Sequence, residues 1–212
     1  MKNCKNLILV GGGGHCKSVI DVAEDLGYNV LGILDHKDKV GTKVLKYDVI
    51  GTDDDIPKYV DKALFVITVG QIKDNSIRRK IAGLIEKAGG KYATLIANDA
   101  HVSKYAVVGE GSVVMHKAII NADSHIGRNC IINTMTNIEH DVIIGEFCHV
   151  STGCMINGDT RIGDNVFVGS NSEIHNCKHI VDNVILAAGS VVYKDIDEPG
   201  VYASDNLVKF NK

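Results

Sequence analysis

Ile126-Gly127-Arg128-Asn129-Cys130-Ile131-Ile132-Asn133-Thr134-Met135-Thr136-Asn137-Ile138-Glu139-His140-Asp141-Val142-Ile143-Ile144 carries an aliphatic residue at every sixth position. Extended outward, the same step meets Val102, Val108, Val114 and Ile120 on one side. On the other it meets Val150, Ile156, Ile162, Val168, Ile174, Ile180, Leu186 and Val192. A period of six fits neither a helix nor a flat strand. It fits a triangular coil whose three faces each use one hexapeptide, with the aliphatic residue pointing inward. Four positions after the aliphatic residue lie mostly small side chains, among them Ala106, Ser112, Ala118, Ser124, Cys130, Thr136, Cys148, Cys154, Thr160 and Ser172. Sixteen such units make a little over five coils, a prism about 25 Å tall at the usual strand spacing of ~4.8 Å. An ordinary sandwich would show drifting spacing and hairpin turns instead. Residues 18 apart share a face, so Cys130 and Cys148 read as stacked interior residues.

Upstream of this repeat the pattern changes. Leu7–Val10 is a short buried-strand run that ends at Gly11-Gly12-Gly13-Gly14, and Val19, Val22, Ala23 and Leu26 then follow at helical spacing before Gly27. Val30–Leu34 and Leu64–Val69 read as further strands. Residues 75–88 read as a second helix with Ile77, Ile81, Leu84 and Ile85 on one face, and Tyr92–Ile96 as a last strand. Strands alternating with helices of this length predict a parallel sheet with crossover helices. The expected organisation is an α/β Rossmann-like domain over residues 1–97, followed by an all-β parallel β-helix of hexapeptide repeats over 98–212.

Composition narrows the function classes. Lys+Arg 23 against Asp+Glu 26 gives a net charge of −3, which offers no basic excess for a nucleic-acid face. No apolar run approaches the roughly 18 residues of a membrane span, and Met1–Leu9 lacks signal-peptide features, so the cytoplasm is expected. Six cysteines spread over the chain without a C-x-x-C pair read as reduced, small buried hydrophobes.

Chemistry concentrates at Glu139-His140-Asp141, where an imidazole stands beside two acids. A neighbouring carboxylate fixes the tautomer and stabilises the imidazolium, which makes His140 the candidate general base and Asp141 its orienter. Gly158 lies 18 residues on, where a backbone N–H without a side chain can approach a developing oxyanion. In the first half, the glycine cluster between strand and helix suits a phosphate at a helix N-terminus, although Cys16 breaks the G-x-G-x-x-G pattern at its third glycine. Asp35, at the end of the second strand, fits an acid that binds a nucleotide. The same glycines also suit a plain tight turn, and Asp35 a solvated strand end.

Ile138-Glu139-His140-Asp141, then Ile144-Gly145-Glu146-Phe147-Cys148-His149-Val150-Ser151, on a hexapeptide helix preceded by a Gly-rich loop and His15, resembles one known family. That family comprises the sialic acid O-acetyltransferases and UDP-4-amino-sugar N-acetyltransferases, of the bacillosamine-pathway type. The resemblance implies a left-handed β-helix, a homotrimer with active sites between subunits, acetyl-CoA as acyl donor without a metal, and a nucleotide sugar held by the N-terminal domain. By residue, it implies His140 as base toward the sugar amine, Asp141 in support and the Gly158 backbone on the acetyl oxygen. His149 would be a second histidine of the site. Gly11, Gly13, His15, Asp35, His36 and Gly70 would line the nucleotide-sugar pocket. Two departures stand out. The family often has two acids where this chain has Asp35-His36, and its C-terminal Gly-Val-x-x-Gly-x-Pro-Ala-Lys reads here Gly200-Val201-Tyr202-Ala203-Ser204-Asp205-Asn206-Leu207.

Three alternatives compete. One is an O-acetyltransferase using the same base on a sugar hydroxyl. Another is an interface zinc enzyme using His140, His175 and His179, disfavoured because such ligands should be separated by a multiple of 18 and the interval from His140 to His175 is 35, one residue out of register. The third is a non-catalytic binding protein that keeps the helix.

Overall fold

The computed structural model describes residues 5–72 and 76–203. In its N-terminal part, β1 (Asn6–Val10) leads through α1 (Gly14–Asp25) to β2 (Asn29–Leu34). A short hairpin of β3 (Lys43–Val44) and β4 (Tyr47–Gly51) comes next, then β5 (Leu64–Ile67) and α2 (Ser76–Lys87). The sheet runs β3-β4-β2-β1-β5, parallel throughout except for β3 against β4. Alternation along β1 sends Leu7 and Leu9 to the α1 side and Ile8 and Val10 to the α2 side. Both sheet faces are thereby covered, as a parallel sheet requires.

Two local expectations are corrected. Ile77 is 51% exposed, and the buried face of α2 is Arg78, Ile81, Ala82 and Ile85. The guanidinium of Arg78 finds buried carbonyl acceptors, so a charged residue takes the place that apolarity alone assigns to its neighbour. Tyr92–Ile96 is not a strand of this sheet. Tyr92 makes a single bridge to Phe65, while Leu95–Ile96 pairs with Val113–Val114 as the first rung of the next part. Ile96 lies one six-residue step before Val102, which is why it joins the repeat.

From Leu95 the chain winds into a left-handed parallel β-helix whose three faces are sheets of seven, six and five short strands. The first face stacks Leu95–Ile96, Val113–Val114, Ile131–Ile132, His149–Val150, Phe167–Val168, Val184–Leu186 and Gly200–Tyr202. The second runs from His101–Val102 to Val191–Val192 and the third from Val107–Val108 to His179–Ile180. Partners are one coil apart, as in Ile120 beside Ile138 beside Ile156. The stepped aliphatic residues fill the core, with Val114, Ile120, Ile132, Ile138, Val150 and Ile156 fully buried.

The corners explain the period. At every sixth residue the backbone turns through positive φ, at Gly111, Asp123, Asn129, Asp141, Gly153, Asp159, Asn165, Asn171, Asn183 and Gly189. Gly, Asn and Asp tolerate this region best. Lys117, Met135, Phe147 and Cys177 are the exceptions in the same series. Phe147 packs into the cluster of Ile8, Val10, Ile67, Ile81 and Ile85, so burial worth about 1.5–3 kcal/mol offsets a left-handed cost of about 1–2 kcal/mol.

The small residues after each aliphatic one form a ladder. Ser112, Ser124, Thr136, Thr160 and Ser172 each donate a hydroxyl to the carbonyl fifteen residues on, at Gly127, Glu139, Ser151, His175 and Ala187. Cys130, Cys148 and Cys154 direct their thiols the same way, to Gly145, Gly163 and Gly169. These cysteines are therefore donors in a polar ladder as well as small core residues. Cys16 is buried in α1 and Cys177 exposed at a corner; Cys4 lies outside the described residues.

The first face carries the N-terminal part. Leu95, Val113 and Met115 share one apolar cluster with Leu7, Leu9 and the buried side of α1. In cross-section, the corner between the second and third faces is the vertex opposite that covered face.

Candidate active site

His140 and Asp141 occupy this opposite corner, between Asn137–Ile138 on the second face and Ile143–Ile144 on the third. The turn throws the His140 side chain outward, 65% exposed, and Asp141 adopts φ 61°. His140 Nδ1 lies 2.7 Å from Asp141 Oδ2, so the proton on Nδ1 is donated to the carboxylate and the lone pair stays on Nε2. The hydrogen bond to Asp141 raises the His140 pKa above its ordinary value. Slight desolvation opposes this, and the charges of Asp141, Glu139 and Asp159 reinforce it. Glu139 itself is held away, accepting hydrogen bonds from Asn121 and Asn137.

The imidazole lies against Gly158 on the next coil. A Cβ there would meet His140 Cε1 at 2.8 Å and Nε2 at 2.9 Å, so any other residue would push the ring from this position. Among the described residues the Gly158 N–H has no protein acceptor, while its carbonyl accepts from Cys177. An imidazole, a carboxylate and a free N–H thus meet at one corner, beside a groove lined by Asp123, His125, Asp141, Ile143, Asp159 and Arg161. That set can take a proton through Nε2 and donate a backbone hydrogen bond within the same few ångströms.

His149 is not part of this corner. It sits on the first face, 8% exposed, under the N-terminal part. Its Nδ1–H donates to the Gln71 carbonyl at 2.7 Å, and its Nε2 accepts from Asn133 Nδ2 at 3.2 Å. Phe167 meets the ring edge-on at 5.2 Å, and the His15 ring lies 6.4 Å away. Burial pushes the His149 pKa down to about 4 despite the Gln71 carbonyl, with Arg78 adding to the fall. Burial likewise takes His15 to about 3, helped by His149 and Arg78. Both imidazoles are neutral at ordinary pH.

The glycine loop joins this second cluster. Gly11 has φ 108° and packs against Val69, where a Cβ would approach Val69 Cγ2 to 2.5 Å. Thr68 Oγ1 donates to the Gly11 carbonyl at 2.6 Å. Gly13 and Gly14 face open space at the N-terminus of α1, which has no side-chain cap and no acid in its first turn. Those N–H groups and the helix dipole are available to an anion. Gly70 lies beside His15, whose Cβ a Gly70 Cβ would meet at 3.7 Å. Asp35 is 8% exposed rather than solvated. Its carboxylate accepts from the N–H groups of Gly12 and His36 and from Lys39 Nζ. Burial raises its pKa, but these three donors outweigh it and hold the group below the usual range. Asp35 therefore braces the glycine loop, and exposed His36 is the side chain at that strand end turned to solvent.

Sequence reasoning found both clusters but not Gln71, Asn133 or Arg78, which connect them to the fold; none has a motif signature. The proposed zinc set does not assemble: among the described residues no group of three His, Cys, Asp or Glu stands close enough to hold a metal, and His175 pairs with Glu173 and meets the Tyr193 ring at a tilt, 4.3 Å between centroids.

The β-helix with its six-residue period places the chain in the hexapeptide-repeat class, and residues 141–176 match the bacterial transferase hexapeptide family. Residues 6–85 match the PglD N-terminal domain. The acetyltransferase domain of PglB from Neisseria gonorrhoeae is 31% identical, with a TM-score of 0.87 over 95% of this chain and 98% of that one. A histidine variant of perosamine N-acetyltransferase from Caulobacter crescentus, solved with CoA and GDP-perosamine, is 29% identical, with a TM-score of 0.88 over 97% of each chain. UDP-N-acetylbacillosamine N-acetyltransferase of Bacillus subtilis is 34% identical over 116 residues, 52% of this chain and 51% of that enzyme. The chain spans about half or less of the length of the curated relatives it matches. It belongs to the sialic acid O-acetyltransferase/UDP-4-amino-sugar N-acetyltransferase family of hexapeptide-repeat proteins. Among the described residues no helix is long and apolar enough to cross a membrane.

Proposed function

We propose that this chain is a cytoplasmic, acetyl-CoA-dependent N-acetyltransferase that acetylates the amine of a UDP-linked 4-amino-4,6-dideoxy sugar for bacterial glycan biosynthesis. The observation that carries the reading is the His140–Asp141 pair lying on Gly158 at an open corner. His140 Nε2 takes a proton from the amine as its nitrogen attacks the thioester carbonyl. The oxyanion that forms accepts the Gly158 N–H, and the C–S bond breaks as the carbonyl reforms. His140 then returns the proton to the departing CoA thiolate. Direct transfer needs no cysteine nucleophile, in keeping with the buried thiols that burial holds above their ordinary pKa at Cys148 and Cys154.

The same geometry supports a homotrimer. The glycine loop and His149 stand over the first face while the base stands at the opposite vertex, so an acceptor held by one copy reaches the base of another. The curated relative favours a uridine nucleotide and the perosamine enzyme a guanosine one. Thiol release from acetyl-CoA with UDP-4-amino sugars, GDP-4-amino sugars and free sialic acids, for wild type and His140→Ala, tests the reading. Turnover with a UDP-amino sugar that falls by about 10²–10⁴ in His140→Ala is expected. Turnover with sialic acid alone would move the assignment to O-acetylation.

A further inference from the structure

Arg78 is 1% exposed and has no acidic partner among the described residues. A guanidinium taken from water without a counter-charge is costly, so its acceptors matter. There are two, both backbone carbonyls and from different parts of the fold. Nη1 donates to Val69 at 2.7 Å, in the segment that follows β5 and packs on the Gly11 turn. Nη2 donates to Asn129 at 2.5 Å, at a positive-φ corner of the β-helix. Two residues beyond Val69, the Gln71 carbonyl accepts from His149 of the β-helix. Segment 68–71 is thus tied to the glycine loop by Thr68, to α2 and the helix corner by Arg78, and to the first face by His149. Like the His149 imidazole between Gln71 and Asn133, the Arg78 guanidinium holds both parts with a single planar group. The guanidinium fork fixes the distance between two carbonyls in a way that a flexible ammonium does not.

We infer that Arg78 is a positioning residue for acceptor binding: it locks segment 68–71, and with it the glycine loop, at a set distance from the β-helix. The inference rests on the nucleotide-sugar reading of the glycine loop. It deepens that reading by naming what sets the acceptor's reach, and Arg78 itself touches no substrate.

The test compares wild type, Arg78→Met and Arg78→Lys by amide hydrogen exchange and by steady-state kinetics with acetyl-CoA and the UDP-amino sugar. In Arg78→Met, amides of residues 68–72 are expected to exchange at least tenfold faster. The KM for the sugar nucleotide should rise about tenfold while that for acetyl-CoA stays within twofold. Arg78→Lys should recover part of both effects. Unchanged exchange at 68–72, or a fall in kcat that merely follows the folded fraction with both KM values constant, would overturn the inference. If Arg78→Met does not fold, Arg78→Lys carries the same readouts. A wild type that acetylates no sugar nucleotide refutes the proposed function, while the exchange data still decide whether Arg78 locks the segment.

Discussion

The corner that carries His140 and the face that carries His149 are half a coil apart, and they treat the same side chain in opposite ways. At the corner the imidazole is exposed, bound to a carboxylate and shifted toward its charged form. On the covered face it is buried, bound to a carbonyl and an amide, and held neutral. The difference teaches that the open vertex, and not the covered face, holds the imidazole that is exposed and shifted toward taking up a proton. The covered face, by contrast, spends its polar groups on joining two parts of the chain.

The sharpest way to break this comparison is to disturb the open corner without touching the core. Gly158→Ala puts a methyl 2.8 Å from the His140 ring. Displacing a base by about an ångström costs on the order of 10² in kcat, with the melting temperature nearly unchanged. A large loss of stability instead would show that the corner is structural.

Asp141→Asn has a smaller, more diagnostic effect. In the proposed mechanism turnover requires unprotonated Nε2, so the rate is expected to rise with pH through the His140 pKa, which Asp141 holds above its ordinary value. Removing the carboxylate lowers that pKa, and the acidic limb of the pH–rate profile moves to lower pH. The weaker base also lowers the plateau, by roughly tenfold. A limb that stays in place would assign it to another group.

The covered face is expected to leave the rate at neutral pH least affected, its effect appearing only in stability and only in acid. The folded-state pKa of His149, about 4, lies below the unfolded value near 6.5, so the unfolded chain binds more protons between these limits. Stability is unaffected above about pH 6.5 and falls with acidification toward pH 4, by up to ~1.4 kcal/mol per pH unit for this one group. His15 behaves alike, down to about pH 3. Denaturant melts at several pH values should therefore show a shallower acid slope in His149→Asn than in wild type. An identical slope would mean that His149 is protonated in the folded protein.

The β-helix was legible because its period is local: one aliphatic and one turn residue per six is visible without knowing any partner. His140, Asp141 and Gly158 were legible for the same reason, since a known repeat converts sequence spacing into stacking. The hairpin at Lys43–Gly51 was not, because β3 has only two residues and β4, Tyr-Asp-Val-Ile-Gly, does not alternate apolar with polar. Arg78 was invisible because its partners, Val69 and Asn129, are backbone carbonyls, which no side-chain pattern announces. Asp35 was found but given a solvated alternative, since its bracing of Gly12 depends on a turn whose geometry spacing does not supply.

The ladder of hydroxyls and thiols reaching fifteen residues ahead has a mechanical meaning. Each of these bonds joins a coil only to the next in the stack, so a load pulling on the C-terminal end is expected to meet the fastenings one at a time instead of sharing itself among them. Under such a load the prism yields in steps of one turn, like tape lifted from a spool. The rungs beneath the N-terminal part, clamped from outside as well, are the last to let go.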